Sequence, residues 1–359
     1  MKRDKNVIDY IFIAMSIQDV AKLASVSIAT VSRVFNLPDK VTPATRQRVE
    51  RVAKKLGYLP NASARTLRTQ RSRVLGVVLP TLLNPVFAEC LDGIASAATS
   101  AGYAILPITT DYELGREDHA ANLLLASNVD GMILVVSNPA TSRVLARLKT
   151  AKMPYVLAYN RHPEHPCISV DSQAAVAELV AHLARLGHSR ITLISGQLAA
   201  SDRAQQRLLG FKKGMHAAGL KTTRLLEVPF VKSAAQDISK LLLTRERPTA
   251  LICSNDLLAI RSIRAAHLAG LSVPRDLSVV GFDGIALGED LTPMLSTITQ
   301  PNAEIGRCAA RLLVHALTAG APLNPNASLT LPHAFRSGES CAHPASSIKK
   351  QEKFSTKKT

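Results

Sequence analysis

The sequence has no tryptophan, few other aromatic residues and no long uninterrupted apolar run. Only 4% of its 359 residues are aromatic although 47% are hydrophobic, so we expect cores built mainly from aliphatic side chains. No apolar stretch reaches the roughly 20 residues that a transmembrane helix needs, so no membrane partner is expected. The length is enough for two to three domains.

Cysteine and the common catalytic motifs are also scarce. The five cysteines are scattered and show no Cys-x-x-Cys spacing, which excludes a disulfide framework and favours a reducing cytoplasm. The nucleotide patterns GxGxxG and GxxxxGK[ST] are missing, as are a nucleophile motif and a paired-carboxylate motif. His162 and His165 have a spacing that a metal could use, but two prolines favour a surface loop. We therefore expect no catalytic residue, metal or cofactor.

Positive charge is concentrated at the two ends of the chain. The net charge is +17, and residues 1–73 hold 15 Lys and Arg against five Asp and Glu. The tail from Lys349 to Thr359 holds five Lys against Glu352. A small basic module at the start points to a polyanion partner, with nucleic acid as the first candidate. The basic tail is more typical of a solvated, disordered end.

Three short helices are expected between residues 16 and 57. Ser16 and Asp19 have capping-box spacing, a second helix begins near Ile28, and Thr42 and Gly57 mark the ends of a third. The residues expected to face inward are Ile17, Val20, Leu23 and Ala24 of the first helix and Val31, Val34 and Phe35 of the second. Helices of this length that share one core form a helix-turn-helix unit, in which the first braces the second.

The outer face of the second helix has the chemistry for reading a major groove. Arg33 can make a bidentate contact with guanine, and Ile28 and Ala29 can contact thymine methyl groups beside Ser32. Further polar residues are placed for phosphate contacts, namely Ser16, Ser27, Thr30, Asn36, Lys40 and Thr45. The alternative is a small helical bundle without a role in DNA binding.

Residues 58–73, "YLPNASARTLRTQRSR", are too basic and too poor in apolar residues to form core. Asn61 can cap about two turns of helix, and Leu67 stands beside Arg68 among basic neighbours. An apolar side chain flanked by arginines suits insertion between minor-groove base steps. A flexible linker is the other interpretation.

The run "IQDVAKLASVSIATVSRVFN…VTPATRQRV…LGYLPNASARTLRT" resembles the headpiece of the LacI/GalR family of bacterial transcriptional regulators, without a gap across residues 16–73. The resemblance implies a hinge that becomes helical only on operator DNA. It also implies that a leucine, here Leu67, wedges into the central base step.

From Arg73 onward, strand-like apolar runs alternate with amphipathic helices. The runs are continuous rather than alternating, which indicates parallel sheets covered on both faces. Their order suggests two α/β halves split near Asp171. The clearest runs are "VLGVVLP" (74–80), "YAILPIT" (103–109), "DGMILVV" (130–136), "YVLAYN" (155–160), "ITLIS" (191–195), "TALICS" (249–254) and "LSVVGFD" (277–283).

Polar residues follow several of these strands, where ligands bind in open α/β sheets. They are Asn84 and Phe87, Asn160, the segment 197–207, Asn255 and Asp256, and Asp283. Asp256 is expected to be only a helix cap. An aromatic ring, an ionised Asp283, an arginine and amides around one cleft suit a small polyhydroxylated ligand.

The family resemblance extends over residues 73–340, through "NPVFAECLDGI", "RLLGF", "SNDLLAIRSI", "SVVGFD" and "LSTITQP". It implies a sensor similar to periplasmic sugar-binding proteins, with two doubly wound α/β subdomains, three crossovers and an effector between them. By position, the effector arginine is Arg207, the amide is Asn255, the carboxylate is Asp283 and the aromatic residue is Phe87.

The sequence thus predicts an α/β protein with an N-terminal three-helix headpiece and a hinge helix. The expected parts are an extension (1–14), the headpiece (15–60), the hinge (61–72), the sensor (73–341) and a disordered tail (342–359). Within the sensor, one subdomain is expected to combine 73–170 with 300–330 and the other 171–299 with 331–341.

We expect a homodimeric, cytoplasmic repressor of carbon-source uptake or catabolism genes. A small sugar, polyol or sugar acid is expected to release it from a palindromic operator. Because the tail has no heptad pattern, a dimer is preferred over a tetramer. A solute-binding protein without a DNA role, a sugar- or nucleotide-processing enzyme and a constitutive regulator without an effector are the alternatives.

Overall fold

The computed structural model describes residues 16–58, 71–221, 224–229 and 234–345. They belong to two compact units, one ending at Ser72 and the other beginning at Arg73. The expectations for the extension 1–14, for Asn61, Leu67 and Arg68 of the hinge, and for residues 346–359 of the tail lie outside the described residues.

The first unit has the three predicted helices. They are α1 (Ile17–Leu23), α2 (Ile28–Asn36) and α3 (Pro43–Leu56), with a 3-10 turn at Pro38–Lys40. The capping box is confirmed, because the Ser16 hydroxyl accepts from the Asp19 amide at 3.3 Å and the Asp19 carboxylate accepts from the Ser16 amide at 2.9 Å. Gly57 ends α3 at φ +62°, a conformation that glycine adopts without strain.

One inward residue was predicted wrongly. Leu23 is 61% exposed, whereas Ala21 is buried beside Val20 and Ala24. On a helix, residues 17, 20, 21 and 24 form one continuous stripe, and Leu23 lies about 100° from its centre. The buried core of this unit consists of Val20, Ala21, Ala24, Val31, Val34, Val49 and Ala53.

The second unit contains two six-stranded sheets. The strands are β1 (Val74–Leu79), β2 (Ala104–Thr109), β3 (Gly131–Leu134), β4 (Tyr155–Ala158), β5 (Cys167–Val170), β6 (Ile191–Ser195), β7 (Arg224–Glu227), β8 (Ala250–Cys253), β9 (Ser278–Asp283), β10 (Ser296–Thr299), β11 (Leu329–Leu331) and β12 (Ala334–Arg336). The helices are α4 (Pro85–Ser100), α5 (Leu114–Ala126), α6 (Arg143–Thr150), α7 (Ser172–Arg185), α8 (Asp202–Ala217), α9 (Ala234–Leu242), α10 (Asp256–Leu268) and α11 (Asn302–Ala319).

The strand orders are β11-β5-β4-β3-β1-β2 and β12-β10-β9-β8-β6-β7. Every pair is parallel except β10 with β12. We call the first sheet with its helices and α11 the first half, and the second sheet with its helices the second half. In each, the strand order reverses beside the first strand, which places ligand-binding positions at the carboxyl ends of the strands.

The chain crosses between the halves three times, after β5, after β10 and between β11 and β12. Helix α11 returns to the first half and packs closely on α4. A Cβ atom added to Gly306 would lie 2.0 Å from the Cys90 carbonyl oxygen, and one added to Gly93 would lie 1.9 Å from the Ala303 carbonyl oxygen. The two helices therefore touch backbone to backbone.

Candidate functional site

Helix α2 presents the face that the sequence predicted for base contacts. Ile28 is 48% exposed, Ala29 and Arg33 are also exposed, and Ser32 is half-buried. Val31 and Val34 on the opposite side are buried in the three-helix core. The core thus fixes the helix and leaves the predicted base-contacting face outward.

The residues predicted to contact phosphates also hold the helix ends. The Ser27 hydroxyl accepts from the Thr30 amide at 3.1 Å. The Asn36 amide donates to the Ser32 carbonyl at 2.7 Å. Ser16 belongs to the capping box, Thr45 accepts from the Thr42 hydroxyl at 3.0 Å, and Lys40 is exposed. All of these side chains keep some solvent exposure, and their contact with phosphate stays a prediction.

The centre of the second candidate site is a buried ion pair between Arg207 of α8 and Asp283 at the end of β9. Arg207 Nη2 lies 3.6 Å from Asp283 Oδ1, and the guanidinium stacks 3.8 Å above the Phe282 ring. Arg207 Nη1 donates to the Ser254 carbonyl. The buried Nε has no acceptor among the described residues, so the guanidinium keeps a donor for a ligand.

Asp283 is surrounded by amide donors. Gln300 Nε2 donates to Oδ1 at 2.8 Å, and Asn84 Nδ2 donates to Oδ2 at 3.4 Å. Burial raises the pKa of Asp283 to about 6, although Arg207 and the two amides act in the opposite direction. Asp283 is therefore closer to protonation at neutral pH than an exposed aspartate is.

Asp256 does more than begin a helix. Its Oδ2 accepts from the Gly284 and Ile285 amides at 2.8 and 2.9 Å, and its Oδ1 accepts from the Thr297 hydroxyl at 2.5 Å. Burial raises the pKa of Asp256 to about 7. These bonds tie α10 to the turn that follows Asp283, so the expectation of a simple helix cap was too narrow.

Two predicted asparagines and the predicted aromatic residue line the same cavity. Asn84 and Asn255 are the N-caps of α4 and α10, and each uses its Oδ1 to accept a helix amide. Phe87 is buried and packs edge-on against Tyr159, with ring centroids 5.6 Å apart. Phe87 therefore forms an apolar wall. Asn255 Nδ2 and the second N–H of Asn84 Nδ2, whose other N–H donates to Asp283, remain as donors.

Asn160 is the predicted effector residue that does not line this cavity. It is completely buried, and its side chain pairs with both backbone groups of Val136, at 2.9 and 2.8 Å. Its Nδ2 also donates to Asp202 Oδ1 at 2.7 Å. Because these bonds occupy both ends of the amide, Asn160 joins the two halves instead of facing a ligand.

Ser201 and Arg203, which also line the cavity, fall within the predicted segment 197–207. Sequence reasoning missed four other lining residues, namely Tyr112, Tyr159, Ser254 and Gln300. Tyr112 and Tyr159 have positive φ values of 62° and 63°, which turn the chain after a strand and leave no readable pattern in sequence. Gln300 directly follows β10, so recognising that strand would have revealed it. The cavity between these residues has a volume of about 30 Å³, room for about two water molecules.

Neither a metal cluster nor a membrane span is found in the described part of the chain. It contains no group of three or more His, Cys, Asp or Glu arranged to hold a metal ion. His165 instead bonds to the Tyr155 hydroxyl at 2.7 Å. No helix within the described ranges is long and apolar enough to cross a bilayer.

Comparisons with known proteins find matches for both units of the chain. Residues 16–61 match the bacterial regulatory proteins of the lacI family, and residues 180–341 match the periplasmic binding protein-like domain. Catabolite control protein A of Priestia megaterium is 35% identical over 304 residues, covering 83% of this chain and 91% of that protein.

Two solved structures are similar over almost the whole molecule. The lac repressor dimer bound to operator and the anti-inducer ONPF has a TM-score of 0.81 and 26% identity, covering 91% of this chain and 99% of the other. A complex of the transcriptional regulator CelR with cellobiose has a TM-score of 0.67 and 27% identity, with the same coverage. The chain therefore belongs to the LacI/GalR family and is a DNA-binding transcriptional regulator, not an enzyme.

Proposed function

We propose that this regulator is a repressor that a small, neutral, polyhydroxylated effector, a sugar or a polyol, releases from its operator. The observation that carries the proposal is the Arg207–Asp283 pair, whose opposite charges balance within the buried cleft. A balanced pair offers donors and acceptors to hydroxyl groups without favouring a dianion. A sugar acid would need Arg207 to exchange partners.

The other lining residues fit the same ligand class. Asn84 and Asn255 supply amide donors, and Phe87 supplies an apolar wall for the carbon face of a sugar ring. The related regulator CelR in complex with cellobiose supports a sugar as effector. A cavity of about 30 Å³ is far smaller than a sugar, so the two halves must separate before the effector can enter.

The proposed repressor acts in the cytoplasm as a homodimer on a palindromic operator. Two copies of α2, related by a two-fold axis, would read half-sites about one helical turn apart. The lac repressor dimer on its operator supports this arrangement. Effector binding would favour a state with low operator affinity, so DNA must weaken effector binding by the same factor. Carbon-source uptake or catabolism genes are the proposed targets.

The test combines a thermal-shift screen with operator gel shifts. Sugars, polyols, sugar acids and nucleobases would be screened on the full chain, and each ligand that binds would be added to the operator complex. We expect a neutral sugar or polyol to release DNA from the wild type and from Lys212→Ala, an exposed control on α8. Arg207→Ala should bind DNA without responding. A ligand that tightens operator binding, or a full response by Arg207→Ala, would contradict the proposal.

A further inference from the structure

A second and larger cavity lies beside the effector cleft, at the crossover between the halves. Its volume is about 490 Å³, within the usual range for small-molecule sites. Tyr159 and Arg161 line it from the first half, and α7 and α8 line it from the second half with Gln173, Gln206 and Lys213. It shares Tyr159 and Arg203 with the effector cleft but has different chemistry.

The charges around this cavity leave one cation in excess. Arg161 pairs with Asp171 at 2.7 Å, and Arg203 pairs with Asp202 at 3.0 Å. Lys213 donates to the Gln173 amide oxygen at 2.6 Å. Within the described residues, the three cations thus face two carboxylates, and Lys213 is the one without a carboxylate partner.

The hydrogen-bond directions make the far wall rich in donors. An ammonium group can only donate, so Lys213 Nζ fixes the Gln173 side chain with Oε1 as the acceptor. Gln173 Nε2 must then donate to Gln206 Oε1, and these two atoms are in close contact. Gln206 Nε2 is the last group in this series of hydrogen bonds, and it has no acceptor among the described residues. The wall therefore presents free donors from Gln206 and Lys213.

The carboxylate oxygens that line the cavity are already used. Asp171 Oδ1 accepts from the Gln173 and Ala174 amides at 3.1 and 3.0 Å, and Asp171 Oδ2 accepts from Arg161. A donor-rich, positively charged cavity is best satisfied by an anion with several acceptor oxygens. A phosphoryl group offers three such oxygens to cations that approach from different elements, whereas a carboxylate offers two.

We propose that this cavity is a second ligand site, distinct from the effector cleft, that binds a phosphate-bearing small molecule. Its walls come from both halves, since Arg161 belongs to the first and Lys213 to the second. An anion bridging them would favour one separation of the halves. Phosphate binding would thus be coupled to effector binding. Each ligand would change the affinity for the other by the same factor.

The experiment titrates the full chain with glucose 6-phosphate, glucose and inorganic phosphate by calorimetry at constant ionic strength. We expect both phosphate probes to bind and Lys213→Gln to weaken them about tenfold, by loss of a charge-assisted contact. Lys212→Gln, at an exposed neighbour outside the cavity, should bind like the wild type. Both variants should keep wild-type circular dichroism and operator binding.

Three results would overturn the proposal. They are no saturable binding of either phosphate probe at millimolar concentration, equal affinity in the wild type and Lys213→Gln, and loss of phosphate binding in Arg207→Ala. The last would place the anion in the effector cleft. Failure of the effector proposal would appear separately, as an operator complex that no screened sugar or polyol releases.

Discussion

Asn160 of the first half donates to Asp202 of the second half across 2.7 Å, where both side chains are buried. Two further bonds cross beside it. The Asp202 amide donates to the Ser137 carbonyl at 2.6 Å, and Arg203 Nη1 donates to the Val136 carbonyl at 3.0 Å. We call this set the clasp. Separating the halves must break all three bonds.

Asp202→Ala should weaken the clasp and favour an open cleft. The change removes the acceptor of Asn160 and the carboxylate partner of Arg203, which should lower the free energy of unfolding by about 2–3 kcal/mol. Small-angle scattering should show a larger radius of gyration. Asp237→Ala, which removes an exposed carboxylate paired with Lys240, is the control. Unchanged scattering in Asp202→Ala would show that the clasp does not hold the cleft closed.

Asp256→Asn should change how stability depends on pH. The folded-state pKa of about 7 exceeds the usual 3.8, so the folded protein binds this proton more tightly than the unfolded chain. The contribution is fully present below pH 3.8 and is lost as pH rises through about 7. Between pH 5 and 8 the free energy of unfolding of the wild type should therefore fall by roughly 2 kcal/mol more than that of Asp256→Asn. The measurement is urea unfolding of both proteins at several pH values. If their free energies of unfolding changed equally with pH, this role of Asp256 would be contradicted.

Arg33→Ala should relax base preference without abolishing DNA binding. Arg33 is exposed on the predicted base-contacting face of α2, and its guanidinium makes no hydrogen bond to any other described residue. Loss of a bidentate guanine contact should cost about 1–3 kcal/mol per half-site at one base position. Lys54→Ala, an exposed basic residue on α3, controls for charge. Competition gel shifts measure the affinity for different DNA sequences. If Arg33→Ala lost the same affinity on every sequence, Arg33 would contact phosphate and not a base.

Gly306→Ala should destabilise the first half strongly. The new methyl group would lie 2.0 Å from the Cys90 carbonyl oxygen, so α4 and α11 would have to move apart. Overpacking of this kind typically costs about 1–3 kcal/mol. Gly115→Ala, on α5 with no atom within 4 Å of the added Cβ, should be neutral or stabilising. The measurement is the melting temperature of each variant. Equal values would contradict the close contact between α4 and α11.

The sequence was informative for features that depend only on residues close together in the chain. The capping box at Ser16, the left-handed Gly57 and the strand β6 could be read from local residues. Strands β11 and β12 are only three residues long, and β7 begins with Arg224 and ends with Glu227, so none of the three stands out as an apolar run. The cleft residues likewise divide into those that local sequence specifies and those that depend on distant partners.

Cleft residues at the end of a long strand could be predicted, as for Asp283, the last residue of β9. The role of Asn160 could not, because it depends on Asp202, a partner 42 positions away on the other half. The roles of Tyr112 and Tyr159 depend on backbone turns that single residues do not specify.

The return of α11 and β11 to the first half also sets an order for folding during synthesis. The three-helix unit is complete in sequence by Leu56, whereas the first sheet lacks its edge strand until Leu331 has been made. At about 5–20 residues per second, β5 waits roughly 10–30 seconds for β11, and β1–β4 wait longer. Until α11 has been made, the surface of α4 that it will cover stays open to water. The DNA-reading module of a new chain is therefore finished well before the half that it depends on for control.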